Sequence, residues 1–172
     1  MNTSIVLTII ADDQPGIINT VSETLHNHGG SWTQSSMSSL AGQFAGILSA
    51  SVPTDKADAC VRELHALKAT GLRVIAHISG AVRVTEETHE YTLDLIGNNR
   101  KGIVHEITSI LTGHDVNVHN LETVVESASM GGGDLFKAKA RLIIPVSAEI
   151  EVLESELEDI ANELMVDIRF EK

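Results

Sequence analysis

An internal repeat constrains the fold of this chain more than any other feature of its sequence. Gly16 and Gly102 belong to similar segments, ADDQPGI and GNNRKGI, and lie 86 residues apart in a chain of 172. The same spacing aligns Leu7 with Leu93, Ile10 with Ile96, Ile17 with Ile103, Leu25 with Leu111 and His28 with His114. A repeat of this length without a gap predicts two copies of one small domain.

The second copy is longer than the first. Phe44 and Pro53 align with Phe136 and Pro145 at an offset of 92, so six extra residues fall around SASMGGGDLF, 127–136. We expect this insertion at a hairpin tip, where glycines allow positive φ. The predicted division is a first domain at 1–80, a linker at 81–88 and a second domain at 89–172.

Both copies have the same pattern of apolar residues. In the first, Ile5–Ile10 is typical of a buried strand, and apolar residues at helical spacing follow between Pro15 and His28, with the proline in the first turn. The other predicted elements are strands at 31–40 and 43–52 around a turn at Ala41–Gly42, a helix capped by Thr54–Asp55, and a strand at 72–79. The order βαββαβ predicts a ferredoxin-like α+β fold, an antiparallel sheet with both helices on one face.

Charge and composition exclude several functions that this fold can have. A net charge of −12 opposes binding to DNA or RNA, and 3% aromatic residues leave little for bases to stack on. The single cysteine, Cys60, excludes an internal disulfide and a copper site made of paired thiols. Because the sequence also lacks a run of about 18 apolar residues, we expect a cytoplasmic protein that does not enter the membrane.

The sequence does not contain a recognisable catalytic or metal-binding group. His26 and His28 are two residues apart on a predicted helix and therefore point away from a common ligand position. Arg100 would suit an acylphosphatase-like enzyme, but the first copy has no equivalent arginine. We expect no enzyme activity, cofactor or metal, and we keep the acylphosphatase as a remote alternative.

The two loops that join the first strand to the first helix are the candidate ligand sites. A helix N-terminus presents unpaired N–H groups that suit a carboxylate, and Asp12 and Asp13 beside it would hold an ammonium group. In the second loop, amides replace the acids, and Arg100 and Lys101 favour an anion, so the loops should differ in their ligand. The candidates are Asp12, Asp13, Gln14, Gly16 and Ile17, and then Asn98, Asn99, Arg100, Gly102 and Ile103. The alternative is that the acids and amides only cap their helices.

The segments DDQPGI, NNRKGIVHEIT and VNVHNLET resemble the loop, helix and strand of ACT domains, and the resemblance covers both copies. The stretch NLETVVESASMGGGDLFKAKARLIIP, 120–145, resembles the hairpin of the glycine cleavage system transcriptional repressor family. The resemblance implies effectors bound where the first loop of one ACT unit faces a strand of another. By position, the strand candidates are Asn117, His119 and Asn120 in the second copy and Ser31, Thr33 and Gln34 in the first.

The resemblance also implies a function. We expect a regulatory protein that senses a small amino acid such as glycine and controls the glycine cleavage genes by contacting a transcription factor. It would form a homo-oligomer and would not bind DNA directly. The alternative is an accessory subunit that regulates a metabolic enzyme in response to an amino acid.

The third strands of the two copies differ on the face away from the helices. Lys137, Lys139 and Arg141 form a basic stripe in the second copy, which Glu122 and Glu126 can pair with across the hairpin. The equivalent stripe in the first copy is Ala45, Ile47, Ser49 and Ser51. We therefore expect another domain or subunit to cover the first copy's open sheet face.

Overall fold

The computed structural model describes residues 1–79, 87–127 and 133–172. The chain divides into two compact units, Met1–Arg83 and Val84–Lys172. Most of the linker expected at 81–88 lies outside the described residues, and so does 128–132 of the glycine-rich insertion. The domain boundaries derived from the repeat therefore stay a prediction.

Each unit folds in the order strand, helix, two strands, helix, strand. The first contains β1 Asn2–Asp12, α1 Ile17–Asn27, β2 Ser31–Leu40, β3 Gln43–Pro53, α2 Ala57–Ala66 and β4 Arg73–Ser79. The second contains β5 Thr88–Asn98, α3 Ile103–Gly113, β6 Asn117–Ser127, β7 Asp134–Pro145, α4 Ile150–Leu164 and β8 Val166–Glu171.

The two sheets have the same topology and the same register. Their strand orders are β2-β3-β1-β4 and β6-β7-β5-β8, and all paired strands are antiparallel. Leu7 lies opposite Leu48 on one side and Ala76 on the other. Its repeat partner Leu93 lies opposite Ala140 and Phe170. The internal repeat in the sequence is thus a repeat of strand pairing.

Alternation along the strands separates a buried face from an open face in each sheet. Ile5, Leu7 and Ile9 of β1 are at most 2% exposed, and the helices pack on them through residues such as Val21 and Leu25. The predicted apolar stripe of α4 is buried at Leu153, Leu157 and Leu164, with Ile150 and Ile160 packed beside them. Among the described residues, no helix of the same unit packs on the opposite face of either sheet.

The structure confirms the ferredoxin-like α+β fold, with βαββαβ order in both units. Two predicted helix starts are wrong. Pro15 is not in the first turn of α1, because Gly16 adopts φ 100°, which a helix cannot contain, and the helix begins at Ile17. Thr54–Asp55 does not cap α2, because Thr54–Lys56 forms a 3₁₀ turn and no side chain caps the helix.

One histidine connects the two helices in each unit. His28 Nδ1 lies 3.0 Å from the carbonyl oxygen of Thr24, and its Nε2 lies 3.5 Å from a carboxylate oxygen of Glu63 on α2. In the second unit, His114 Nε2 lies 3.1 Å from a carboxylate oxygen of Glu156 on α4. We call each of these pairs a helix clasp.

Candidate functional site

The first candidate site is the loop between β1 and α1. Gly16 is the residue before the helix, and its left-handed backbone turns the chain into the first helical turn. No side chain caps this helix, so the interpretation of Asp12 and Asp13 as caps is wrong. The first-turn N–H groups have no partners within the helix. The first N–H that reaches a carbonyl four residues earlier is that of Thr20, which donates to Gly16.

The two acids of this loop are held by the β2–β3 hairpin instead. Gln43 Nε2 donates a hydrogen bond of 2.6 Å to the carboxylate of Asp12. The hydroxyl of Ser39 donates one of 2.5 Å to the carboxylate of Asp13, whose own backbone N–H donates to the carbonyl of Gly42. Each carboxylate thereby keeps a defined position and retains lone pairs for another donor.

The first loop is open to solvent. Residues 12–16 are all exposed, and no atom lies within 4 Å of the point where a Cβ of Gly16 would be. Ile17 is different, because its side chain belongs to the hydrophobic core. Only its backbone N–H is therefore available to a ligand. The predicted candidates Asp12, Asp13, Gln14 and Gly16 thus lie together at an accessible helix N-terminus.

The second loop repeats the backbone of the first. Gly102 precedes α3 with φ 94°, and the N–H of Glu106 donates to its carbonyl oxygen. The N–H of Asn99 donates to the carbonyl of Asp134, as that of Asp13 does to Gly42 in the first unit. No side chain caps α3, so the capping interpretation is also wrong for Asn98 and Asn99.

The second loop differs from the first in what covers the helix N-terminus. Arg100 Nη2 lies 3.0 Å from both carboxylate oxygens of Glu106. One of these oxygens lies 3.1 Å from the point where a Cβ of Gly102 would be. The position equivalent to Glu106 in the first unit is Thr20, whose hydroxyl donates to the carbonyl of Gly16. A carboxylate of the chain therefore lies beside Gly102 at the start of α3 without capping the helix, whereas no atom lies within 4 Å of the equivalent point at Gly16.

The strand candidates of the first unit do not meet its loop. Ser31 pairs across β3 with Ser51, which lies opposite Ser4 near the start of β1, whereas the loop begins at Asp12. Eight residues of extended strand separate these two positions, a distance of about 27 Å. Thr33 occupies a β-bulge, and its hydroxyl donates to the carbonyl of Ser49.

The same separation holds in the second unit. Asn117 pairs with Ile143, which lies opposite Glu90 at the start of β5, while the loop follows Asn98 at its end. A bulge at His119 repeats the one in the first unit. Asn117 and His119 are exposed, and Asn120 is half-buried. Loop and strand candidates of one unit therefore cannot form a single small-molecule site.

Three residues at the loops were missed by the sequence reasoning. Ser39 and Gln43 hold the acids of the first loop, and Glu106 covers the second helix start. The sequence contained indications of these residues, because Ser39 and Gln43 lie on either side of the predicted turn and Glu106 occupies the position of Thr20 in the repeat. Only the strand register shows that this turn lies beside the end of β1.

The described residues offer little for other chemistry. Within 1–79, 87–127 and 133–172, no three His, Cys, Asp or Glu side chains are placed to hold a metal ion. Arg100, on which the acylphosphatase alternative depended, is paired with Glu106. None of the helices in this part of the chain is long and apolar enough to span a membrane.

Comparison with known proteins identifies the first unit. Residues 3–78 match the family model of the ACT domain. A comparison with curated proteins found no match.

Two solved structures are similar to this chain over both units. One is an unknown protein from Galdieria sulphuraria, with 27% identity and a TM-score of 0.89, covering 99% of this chain and 98% of that chain. The other has been assigned as a glycine cleavage system transcriptional repressor, with 17% identity and a TM-score of 0.66, covering 99% and 96%. Both structures support the tandem fold.

Proposed function

We propose that this chain, whose residues 3–78 are an ACT domain and whose second unit repeats that fold, is a regulatory protein that binds a small amino acid. The first loop is the binding site, and the chain has no catalysis of its own. The observation that carries the proposal is the uncovered N-terminus of α1 with two positioned carboxylates beside it.

The chemistry of this loop complements a free amino acid. The first-turn N–H groups and the positive end of the helix dipole attract the ligand's carboxylate. Asp12 and Asp13, fixed by Gln43 and Ser39, accept charge-assisted hydrogen bonds from its ammonium group. Glycine is the ligand that we propose, because the sequence resembles the glycine cleavage repressors.

The second loop has a different role in this proposal. Glu106 already places a carboxylate over the start of α3, and Arg100 neutralises it. A ligand carboxylate would have to displace this pair, whereas nothing has to be displaced in the first loop. We therefore assign amino-acid binding to Asp12, Asp13, Gln14, Gly16 and the N–H of Ile17. The strand residues Asn117, His119 and Asn120 remain candidates for a second wall supplied by another copy of the chain.

The output of the sensor is contact with a protein partner. A net charge of −12 disfavours direct DNA contact, so a repressor of this kind would act on a transcription factor. Ligand binding changes the partner's affinity only if the two states of the sensor differ in their affinity for the ligand. Proteins that co-purify with the chain from cells would distinguish a transcription factor from a metabolic enzyme.

Thermal unfolding of the purified chain against each of the twenty amino acids tests the proposal. A ligand that binds only the folded state at a hundred times its Kd adds about 2.7 kcal/mol of stability, which is a midpoint rise of several degrees. We expect glycine or another small amino acid to produce this rise in the wild-type protein.

Matched variants assign the rise to a loop. Asp13→Ala should abolish it, whereas Asn99→Ala, the equivalent change in the second loop, should leave it intact. A wild-type protein whose midpoint does not change with any amino acid at millimolar concentration would refute the sensor. A rise that persists in Asp13→Ala would refute the assignment to the first loop.

A further inference from the structure

Among the described residues, the open face of the first sheet exposes a group of aliphatic side chains that no helix of its own unit covers. We call it the first open face and define it by Val6, Thr8 and Ile10 of β1, Ala45 and Ile47 of β3, and Ile75 of β4, which share this side of the sheet by register. The isoleucines are strongly exposed, at 41% for Ile10, 49% for Ile47 and 69% for Ile75. Large aliphatic side chains grouped in this way on a sheet usually mark an interaction surface.

The second sheet shows what a solvated open face looks like in the same fold. Lys137 and Lys139 stand where the first unit has Ala45 and Ile47. Arg169 pairs with Asp94 across the strands, as Ile75 pairs with Thr8. These charges line a groove of about 890 Å³, and Lys137 forms an ion pair of 2.6 Å with Glu126.

The open faces of the two sheets therefore differ in their side chains and not in the arrangement of their strands. Both sheets have the same topology, and three equivalent positions carry lysine or arginine in the second sheet and alanine or isoleucine in the first. The position of Ile10 is aliphatic in both units, as Ile96 in the second. Because charged residues fit this backbone in the second unit, the fold does not require aliphatic residues at these positions in the first. Contact with another protein surface explains these aliphatic residues better than the stability of the single unit does.

We propose that the first open face binds the first open face of a second copy of this chain, sheet against sheet, in a two-fold dimer. Charge favours this occupant. Among the described residues of the first sheet, the centre of the face has no charge, and Asp12, Arg73 and His77 lie at its margins. Two such faces meet without like charges in contact. The second open face is a poor partner, because burying its lysines and arginines would cost desolvation.

The size of the face can be compared with the area that a specific interface needs. With β2, which adds Gln34, Ser36 and Ser38 to this side by register, four strands about 4.8 Å apart and seven residues long give a plane of roughly 19 by 23 Å. Packing two such planes buries on the order of 1,000 Å² in total, near the lower limit for a specific interface. The proposal therefore predicts a reversible monomer–dimer equilibrium that depends on protein concentration.

Sedimentation velocity of the full chain over a range of concentrations tests the dimer. The test variant is Ile47→Lys with Ile75→Arg, which installs the residues that the second unit carries at the equivalent positions. We expect its Kd for self-association to be at least about a hundredfold weaker, because four charges would be buried in the dimer. The control is Asn19→Lys with Ser155→Arg, which adds the same charge at exposed helix positions and should dimerise like the wild type.

Methyl NMR of the wild-type chain provides a readout without mutation. Resonances of Ile47 and Ile75 should shift with concentration, while those of Ile96, the second-unit equivalent of Ile10, should not. A monomer up to about millimolar concentration would overturn the proposal. So would a dimer unaffected by the charged variant, or concentration-dependent shifts confined to other residues.

Discussion

Gly16 lies at φ 100°, a backbone conformation that strains any residue with a Cβ, although no neighbouring atom blocks one. Its effect on stability therefore comes from conformation alone. Gly16→Ala should lower the free energy of unfolding by about 1 kcal/mol. Urea denaturation measures this change.

Gly113, the last residue of α3, is the control for this prediction. It has open space around a Cβ and no positive φ. Gly113→Ala should therefore be neutral or slightly stabilising, because alanine favours a helix. Equal effects of the two substitutions would contradict the conformational explanation of Gly16.

Cys60 is fully buried on α2, and burial, with a smaller contribution from Glu63, raises the pKa of its thiol. The folded chain thus holds this proton more tightly than the unfolded chain. The resulting stability is fully present at neutral pH and is lost in the alkaline range, as the pH rises from the pKa of the unfolded thiol to the higher pKa of the folded one.

The substitution Cys60→Ala tests this linkage. At neutral pH it should cost about 1 to 2 kcal/mol of unfolding free energy through lost packing. Above the pKa of the unfolded thiol, the difference in unfolding free energy between wild type and variant should narrow. The reason is that the unfolded wild-type chain then forms a thiolate, which lowers the stability of the wild type only. A difference that stays constant to high pH would refute the assigned shift.

At the scale of secondary structure, the helix clasps join the two helices of each unit. The carboxylates are about half exposed, at 51% for Glu63 and Glu156, which limits their contribution. A double-mutant cycle of His114→Ala and Glu156→Ala, measured by urea denaturation, should give a coupling of about 0.5 kcal/mol. The cycle of His28 and Glu63 should give less, since its distance is 3.5 Å against 3.1 Å. A coupling of zero in both cycles would show that the clasps do not stabilise the packing of the two helices.

Most elements of this fold were predictable because apolar periodicity is strong in them. The strands at 31–40 and 43–52 and the stripe of α4 appear where the pattern places them. Helix starts were less predictable. The left-handed backbone of Gly16 makes α1 begin after Pro15, and apolar periodicity contains no information about backbone angles.

The candidate site was predictable in position but not in its contacts. The repeat located both loops, because each follows a strand and precedes a helix. The hydrogen bonds of Ser39 and Gln43 depend on how a hairpin packs beside β1, and the pair of Arg100 and Glu106 depends on side-chain conformation. These contacts need tertiary structure, which a single sequence does not contain.

At the scale of the whole molecule, the net charge of −12 opposes association of two copies. Added salt screens this repulsion over a Debye length of about 10 Å at 0.1 M. The proposed dimer is held by apolar contact, so its Kd should fall several-fold between low and moderate ionic strength. Sedimentation at a series of salt concentrations measures this trend. A dimer that weakens with salt would indicate ion pairs at the interface instead.

In the proposed sensor, the first loop of the chain binds an amino acid and the second, where Glu106 is paired with Arg100, does not. Isothermal titration calorimetry of glycine, or of the amino acid that raises the midpoint, tests this difference most directly. We expect one ligand per chain, with binding lost in Asp13→Ala and retained in Asn99→Ala. Two ligands per chain, or one that is lost in Asn99→Ala and retained in Asp13→Ala, would contradict it.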